Sequence, residues 1–457
     1  TVPKADMFSL WMPPLSWTAH EWLSGVFMAV VHQHAGLLGI AVLFSLPIAM
    51  THVLLFRMLR GDTQDILMPL LLTAVAASTS SIHWLARPHI FSLMVTVIWY
   101  SVLNRFQYRG KNQLFVLPFI MLLWVNLHGG YIFGLMLLLV YLFGNLASLY
   151  FSENSGSQEY IYKLKSFAKV FSVCLIVSLC NPQGYRILSF PFALASDSFL
   201  MNNVQEFLSP NFHKPITFKY LLLASIALFA FSRVALNWIE LGLVILTTYM
   251  ALYSARYIPL YAIITAPILL RLTDRLKHDL PSLALHWLAR RSINFSLMDQ
   301  KSIGYLWATG GILFVLTLAH TNRLHTEFDD KRFPTKAVEF ILGETIPGTM
   351  FNNEELGDYL FFKPGPKFRV FFDGRSDMYG ATLGSQYLKV ERTLPGWQDV
   401  LQKLQIDWVF FNTGSTLSSA LNTNPAWQLI YSDPVASIFV RDKPEYEHLI
   451  AKYGRKL

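Results

Sequence analysis

The stretch Trp124-Val125-Asn126-Leu127-His128-Gly129-Gly130-Tyr131 sets an asparagine, a histidine and two glycines between two strongly apolar runs. Glycines let a chain reverse tightly and let another group approach its backbone. A histidine at the edge of a bilayer is costly unless it is paired or faces a polar cavity. Polar turns of this kind recur along the chain: His20-Glu21-Trp22-Leu23, His83 to His89, Asn181-Pro182-Gln183-Gly184-Tyr185-Arg186, Gln205 to Pro210, and Ser254-Ala255-Arg256-Tyr257. Gathered in one place, Arg87, Arg186 and Arg256 with His20, His83, His89 and His128 suit an anionic headgroup, because guanidinium forks match phosphate oxygens. Asn126 and Tyr185 complete the candidate binding set. A carboxylate beside them can deprotonate a hydroxyl acceptor. The candidates, in order, are Glu21, Asp6 and Glu206. The chemistry described is transfer of a group from a lipid phosphate to an acceptor, with arginine and histidine stabilising the charge of the leaving phosphate.

Each turn also has an ordinary reading. His128 can be a satisfied histidine in a helix hairpin, Arg87 and His89 can cap a span, and Arg256 can snorkel to headgroups. The joint occurrence carries the argument, and it depends on the elements that position the turns. Apolar runs stand at about 35–56, 66–80, 90–104, 114–126, 131–151, 168–180, 217–232, 238–253, 257–270 and 303–319. Most reach or approach the roughly 20 residues that cross a bilayer, so about ten spans are expected. Alternate loops hold about 15 cations on one side, among them Arg57, Arg60, Arg105, Arg109, Lys163, Arg233, Arg271 and Lys301, against about five on the other. The richer side is cytoplasmic by the positive-inside rule. The polar turns then meet on the outer side, together with residues 1–33 and everything after about 321. One further span is expected before Thr1.

Composition agrees with a polytopic membrane protein. Of 457 residues, 53% are hydrophobic and 14% charged, against about 25% charged in soluble domains. Mean hydropathy is +0.38. The net charge of +8 sits in short loops beside apolar runs, which is what topology produces, and no nucleic-acid partner is implied. Cys174 and Cys180 have neither metal-ligand spacing nor a disulfide framework. Three parts are expected: 1–33, a first outer loop with an interfacial helix; 34–320, the transmembrane domain; and 321–457, a soluble α/β domain. In the last, strand-like runs are Thr349–Phe351, Arg369–Phe372, Trp408–Phe411 and Ser437–Val440, with helical patterns at about 335–343 and 397–405. Asp373-Gly374-Arg375-Ser376-Asp377 follows one of these runs. It reads either as a functional loop of a recognition element or as an internal Asp–Arg pair fixing a turn.

At these residues the chain resembles the polytopic GT-C glycosyltransferases, the class that contains the protein O-mannosyltransferases and the lipid A aminoarabinose transferase. It looks most like a bacterial GT-C-like subgroup. The resemblance is carried by Arg87-Pro88-His89, Trp124 to Gly129, Asn181 to Gly184, Glu206 to Pro210 and Asp373 to Asp377. It covers nearly the whole chain in short motifs. What it implies is an α-helical membrane protein of the bacterial inner (cytoplasmic) membrane with an extracytoplasmic C-terminal α/β domain. The implied partners are a polyprenyl-phosphate-linked sugar donor, the lipid bilayer and a glycan, lipid or protein acceptor. An acidic catalytic residue is implied in the first outer loop. No metal ligands or cofactor are assigned, although a divalent metal is compatible with the chemistry. The chain departs from the pattern in starting after the first span and in having no Asp-Asp, Asp-Glu or Glu-Asp pair in 1–33.

Other functions fit parts of the pattern. An O-antigen ligase or polymerase also uses arginine and histidine at the outer face, but carries its large outer loop between spans. A transporter places polar groups at mid-membrane in broken helices and often shows inverted repeats. A non-catalytic assembly protein would use the C-terminal domain for interaction.

Overall fold

The computed structural model describes residues 2–3, 5–61, 66–151, 157–232, 234–279, 290–298, 304–321, 327–363 and 368–454. Arg233 and Lys301, two of the expected inner cations, lie outside the described residues. The chain divides into two compact units. A helical unit holds His20–Ala193 and Asn202–His325, and a sheet unit holds Thr1–Ala19, Leu194–Met201 and Thr326–Leu457.

The helical unit opens with α1 (Trp22–Arg60), which bends at Gly36. Its φ of 56° there is backbone that glycine adopts at little cost. Then follow α2 (Leu67–Ser80), α3 (His89–Arg109), α4 (Leu117–Leu127), α5 (Tyr131–Phe151), α6 (Ser157–Ser178), α7 (Arg186–Ser196), whose last residues count with the sheet unit, as does most of α8 (Ser198–Asn203), and then α9 (Thr217–Phe231), α10 (Trp238–Tyr253) and α11 (Ile258–Asp279). A further apolar helix spans Gly304–His320. Among the described residues, three helical stretches are long and apolar enough to cross a membrane: Trp22–Arg60, Tyr131–Phe151 and Ala255–Leu276. Others are shorter and apolar, including those in Leu67–His83, Leu114–Leu127 and Trp238–Tyr253. The run expected at 168–180 is the end of the longer α6, whose polar first turns are joined by Glu159 and Lys163 at i,i+4.

Helix α3 is central and packs on α1, α4, α5 and α11. Its Trp99 meets Trp124 of α4 with ring centroids 5.6 Å apart, both fully buried. Several polar groups inside this apolar unit pair with one another, which removes the cost that an unpaired one would carry in lipid. Gln107 and Asn145 exchange two amide hydrogen bonds of 3.1 and 2.9 Å, and Tyr141 donates to Asn104 at 2.6 Å. Arg271 forks onto Glu240 at 2.8 and 2.6 Å, tying α11 to the start of α10. Asn237 and Glu240 form a capping box at that same start.

In the sheet unit, β1 (Met350–Asn352), β2 (Trp408–Asn412), β3 (Trp427–Ser432) and β4 (Ala436–Arg441) lie in the order β1-β2-β4-β3. β1 runs parallel to β2, and the other pairs are antiparallel. Side chains alternate between two cores. Met350, Trp408, Phe410, Ile438 and Val440 pack with the helices at 335–344 and 447–453. Phe351, Val409, Phe411 and Phe439 pack with those at 376–391, 397–403 and 416–422. This period-2 pattern fits a sheet covered on both faces.

Three sequence expectations change here. Arg369–Phe372 is not a strand of the sheet. Its Val370 exchanges backbone bonds with Phe8 and Leu10, at 3.0 and 2.9 Å, while the Phe371 N–H is taken by the Asn352 side chain at 2.7 Å. Trp427–Ser432 is a strand that the sequence reading passed over. Residues 1–33 are not one outer loop. The first 19 belong to the sheet unit through that backbone pairing, and from Trp22 the chain is already in α1.

Candidate functional site

The site is built from turns at one end of the helical unit. Helix α4 closes with the His128 N–H donating to the Trp124 carbonyl at 3.0 Å, after which His128 turns extended. Gly130 then follows where a side chain has no room: a Cβ would sit 2.6 Å from Ser92 Oγ and 2.7 Å from His128 Nδ1. Asn126 fastens this turn to two others. It accepts from Trp22 Nε1 at 2.8 Å and Asn181 Nδ2 at 3.3 Å, and donates to the carbonyls of Leu122 at 2.8 Å and Cys180 at 3.0 Å. Both amide protons and both oxygen lone pairs are thereby used. Asn126 is therefore a brace between α1, α4 and the end of α6.

A second set of turns meets the first. Ala255 and Arg256 donate backbone N–H groups to Leu208 and Glu206 at 2.9 and 3.2 Å. Ser254 Oγ donates to the Glu206 carbonyl at 3.1 Å. His83 Nε2 donates to the Ala255 carbonyl at 3.0 Å, and His89 Nε2 to the His83 carbonyl at 2.7 Å. These two histidines thus knit the ends of α2 and α3 to the start of α11.

What results is a chain of carboxylates, imidazoles and guanidinium groups. Glu21 Oε1 lies 3.5 Å from His20 Nε2 and 3.4 Å from His128 Nε2. Arg256 Nη2 lies 3.2 Å from His128 Nε2, and its Nη1 lies 3.7 Å from Glu206 Oε1. Arg87 Nη1 reaches Glu206 Oε2 at 3.1 Å. The Arg256 guanidinium lies over the Phe207 ring, 5.3 Å from its centroid. The rings of His89 and His128 are 6.4 Å apart, and His20 packs on Phe190. Burial alone would raise the Glu21 carboxyl. The hydrogen bond from His20 and the field of His128, His20 and Arg256 outweigh burial and hold the carboxyl down to about 2. Burial lowers the His128 imidazole to about 3, with Glu21 opposing and Arg256 assisting. At neutral pH the pair is a carboxylate beside a neutral imidazole.

Sequence reasoning thus placed Glu21, His20, His83, Arg87, His89, Asn126, His128, Glu206 and Arg256 in turns that come together. It did not identify Ser92. Ser92 lies in an apolar run three residues after His89, and it accepts from Trp124 Nε1 and meets His128 Nδ1, each at 2.7 Å. A hydroxyl one helical turn from Arg87-Pro88-His89 was the available signal. Tyr185 and Arg186 are exposed around the start of α7, Tyr185 at 74%, and their side chains join no hydrogen bond of this group among the described residues.

A comparison with solved structures finds likeness to the archaeal oligosaccharyltransferase AglB from Archaeoglobus fulgidus, determined in complex with an inhibitory peptide and a dolichol-phosphate. Identity is 11% and the TM-score 0.45, over 96% of this chain and 68% of that one. No protein-family model matches the chain. No curated protein matches it either.

Asp6, the second candidate base, has partners of its own. It lies in the sheet unit, 4% exposed, and accepts from the N–H groups of Phe8 and Ser9 at 3.0 and 2.9 Å. Arg375 Nη1 lies 2.8 Å from its Oδ1. Burial would raise this carboxyl, but the hydrogen bonds and Arg375 leave it lowered. Arg375 also forks onto Asp373 at 3.0 and 2.6 Å and lies over the rings of Phe8 and Trp17. The Asp373-Gly374-Arg375 stretch is therefore an internal ion pair that pins the N-terminal segment to the sheet unit. Among the described residues, no group of three or more His, Cys, Asp or Glu side chains is arranged to hold a metal ion.

Proposed function

We propose that the helical unit transfers a sugar from a polyprenyl-phosphate donor to an acceptor at the extracytoplasmic face of a bacterial inner membrane, within about ten spans. The observation that carries this reading is the run Glu21–His128–Arg256–Glu206–Arg87 at one end of the unit. Arg87 and Arg256 offer two guanidinium groups to a departing phosphate, a stronger match than lysine would give. Their charge stabilises the leaving group as the bond to sugar breaks.

Glu21 and Arg256 both meet His128 Nε2, and Arg256 also approaches Glu206. A carboxylate held near 2 stays ionised and is a weak base in the resting site. Its role in this reading is to accept a hydrogen bond from the attacking hydroxyl and to face the positive charge that builds on the sugar carbon. The proton passes to it late, as the acceptor oxygen becomes positive. The phosphate, bound beside Arg256, would draw that cation's field away from Glu21 and raise its affinity for the proton.

The test is transfer of radiolabelled sugar from a polyprenyl-phosphate donor by purified protein in lipid. Glu21→Gln keeps the shape and removes the charge, and turnover is expected to fall by about 10²–10⁴. Unchanged turnover in Glu21→Gln with a large loss in Glu206→Gln would transfer the role to Glu206. Transport of the intact lipid without sugar transfer would replace the reading with a transporter.

A further inference from the structure

His128 is the buried link between Glu21 and the apolar interior, and the proton on its ring decides what it can do. Three donors and one acceptor surround it. Trp124 Nε1 has only a proton to give, and it gives it to Ser92 Oγ at 2.7 Å. The Ser92 hydroxyl proton is then available to His128 Nδ1, 2.7 Å away. The backbone N–H of Gly130, also a donor without a lone pair, points at the same Nδ1 from 2.9 Å. On the far side, Nε2 meets the Glu21 carboxylate at 3.4 Å and Arg256 Nη2 at 3.2 Å.

Two tautomers compete. With the proton on Nδ1, Nε2 could accept from Arg256. That arrangement would set the Nδ1–H against the Gly130 N–H and the Nε2 lone pair against the Glu21 carboxylate. With the proton on Nε2, Gly130 and Ser92 both donate to Nδ1 and Nε2–H faces Glu21. Only Arg256 then loses a partner, and it retains Glu206. The second arrangement satisfies more groups in a site that buries them, where an unmet donor is expensive. The Gly130 N–H cannot turn aside, because it belongs to the backbone that begins α5.

We propose that Ser92 and Trp124 are positioning residues that lock His128 as a neutral Nε2–H donor aimed at Glu21. His128 then orients the Glu21 carboxylate and does not shuttle protons. The same lock disfavours a doubly protonated ring, since a second proton on Nδ1 would meet the Gly130 N–H, which can only donate. The charged and titratable groups facing the ring, Glu21 and His20 before α1, His89 on α3 and Arg256 before α11, leave this balance in place: only Glu21 favours an imidazolium. The role assigned to Glu21 rests on the transferase reading, whereas the tautomer does not.

The experiment is nitrogen and carbon NMR of the full chain in lipid nanodiscs with labelled histidine, the His128 signals assigned by their loss in His128→Gln. The expected result is an Nε2–H signature for His128, unchanged from pH 8 to 5. Ser92→Ala and Trp124→Phe are expected to give a mixed tautomer, and Ser92→Thr, which keeps the hydroxyl, to restore the single one. In sugar transfer, Ser92→Ala should lower kcat about tenfold with little change in donor KM. His128→Gln, whose amide can place an N–H near Nε2, should retain more turnover than His128→Asn. An Nδ1–H signature, or titration of His128 between pH 8 and 5, would overturn the proposal. So would a tautomer indifferent to both Ser92→Ala and Trp124→Phe. Absence of any sugar transfer with the expected NMR signature would sink the transferase reading and leave the tautomer lock standing.

Discussion

Arg256 and Glu206 are joined twice, by a backbone hydrogen bond of 3.2 Å and by a side-chain approach of 3.7 Å. The backbone bond fixes where the Arg256 Cα stands, and the carboxylate then holds one edge of its guanidinium. Arg87 shares the same carboxylate at 3.1 Å. Glu206 therefore occupies the space between two arginines that a phosphate would also fill.

Glu206→Gln keeps the backbone bond and removes the counter-ion. Binding of inorganic pyrophosphate to the detergent-solubilised protein, read by calorimetry, is expected to tighten by about two- to five-fold, the scale of ~0.5–1 kcal/mol for a partly exposed pair. Weaker binding would mean that Glu206 orders the arginines more than it competes for them.

The pH dependence of stability follows from the His128–Glu21 pair. An unfolded chain takes up a proton on His128 near pH 6.5, whereas the folded one holds out to about 3. Glu21 behaves likewise between 4.5 and about 2. In both windows the unfolded state binds more protons, so stability falls as pH is lowered. The apparent melting temperature in detergent should drop from pH 7.5 to 5, and drop less in His128→Gln. Equal slopes in the two proteins would show that His128 is not the group held neutral.

Gly130→Ala forces a methyl into the 2.6 Å gap before Ser92 Oγ and the 2.7 Å gap before His128 Nδ1. Crowding of this kind costs about 1–3 kcal/mol. A lower melting temperature together with a displaced His128 NMR signal is expected, while Gly110→Ala, at a left-handed position with open space, should leave His128 unmoved.

Arg375→Ala leaves Asp6 and Asp373, which are 4% and 3% exposed, without their cation. Removing one partner of a buried pair costs about 3–5 kcal/mol. Hydrogen exchange in the full chain should show residues 5–17 losing protection, with the strands at 408–412 and 436–441 keeping most of theirs. Uniform loss across the sheet unit would mean that Arg375 supports the whole unit instead of the N-terminal segment.

Local pattern alone determined the helical runs, the polar turns between them and the strand-like runs Trp408–Phe411 and Ser437–Val440, because each depends on residues within a few turns or pleats of one another. It also placed Glu21, His128 and Arg256 among the residues able to do chemistry, since charge at the ends of apolar runs stands out in any reading. Only the tertiary structure decided which partners each carboxylate meets. Asp6 and Glu21 are both acidic residues in the first 33, yet Asp6 is bound by Arg375, 369 positions away, and Glu21 by His128, 107 positions away. The same holds for Arg369–Phe372, strand-like in composition but paired to residues 8–10, and for Ser92, ordinary in an apolar helix until Trp124 and His128 close on it. Ion pairs and hydrogen bonds act over about 3 Å, and no local periodicity records which distant segment will be brought within that range.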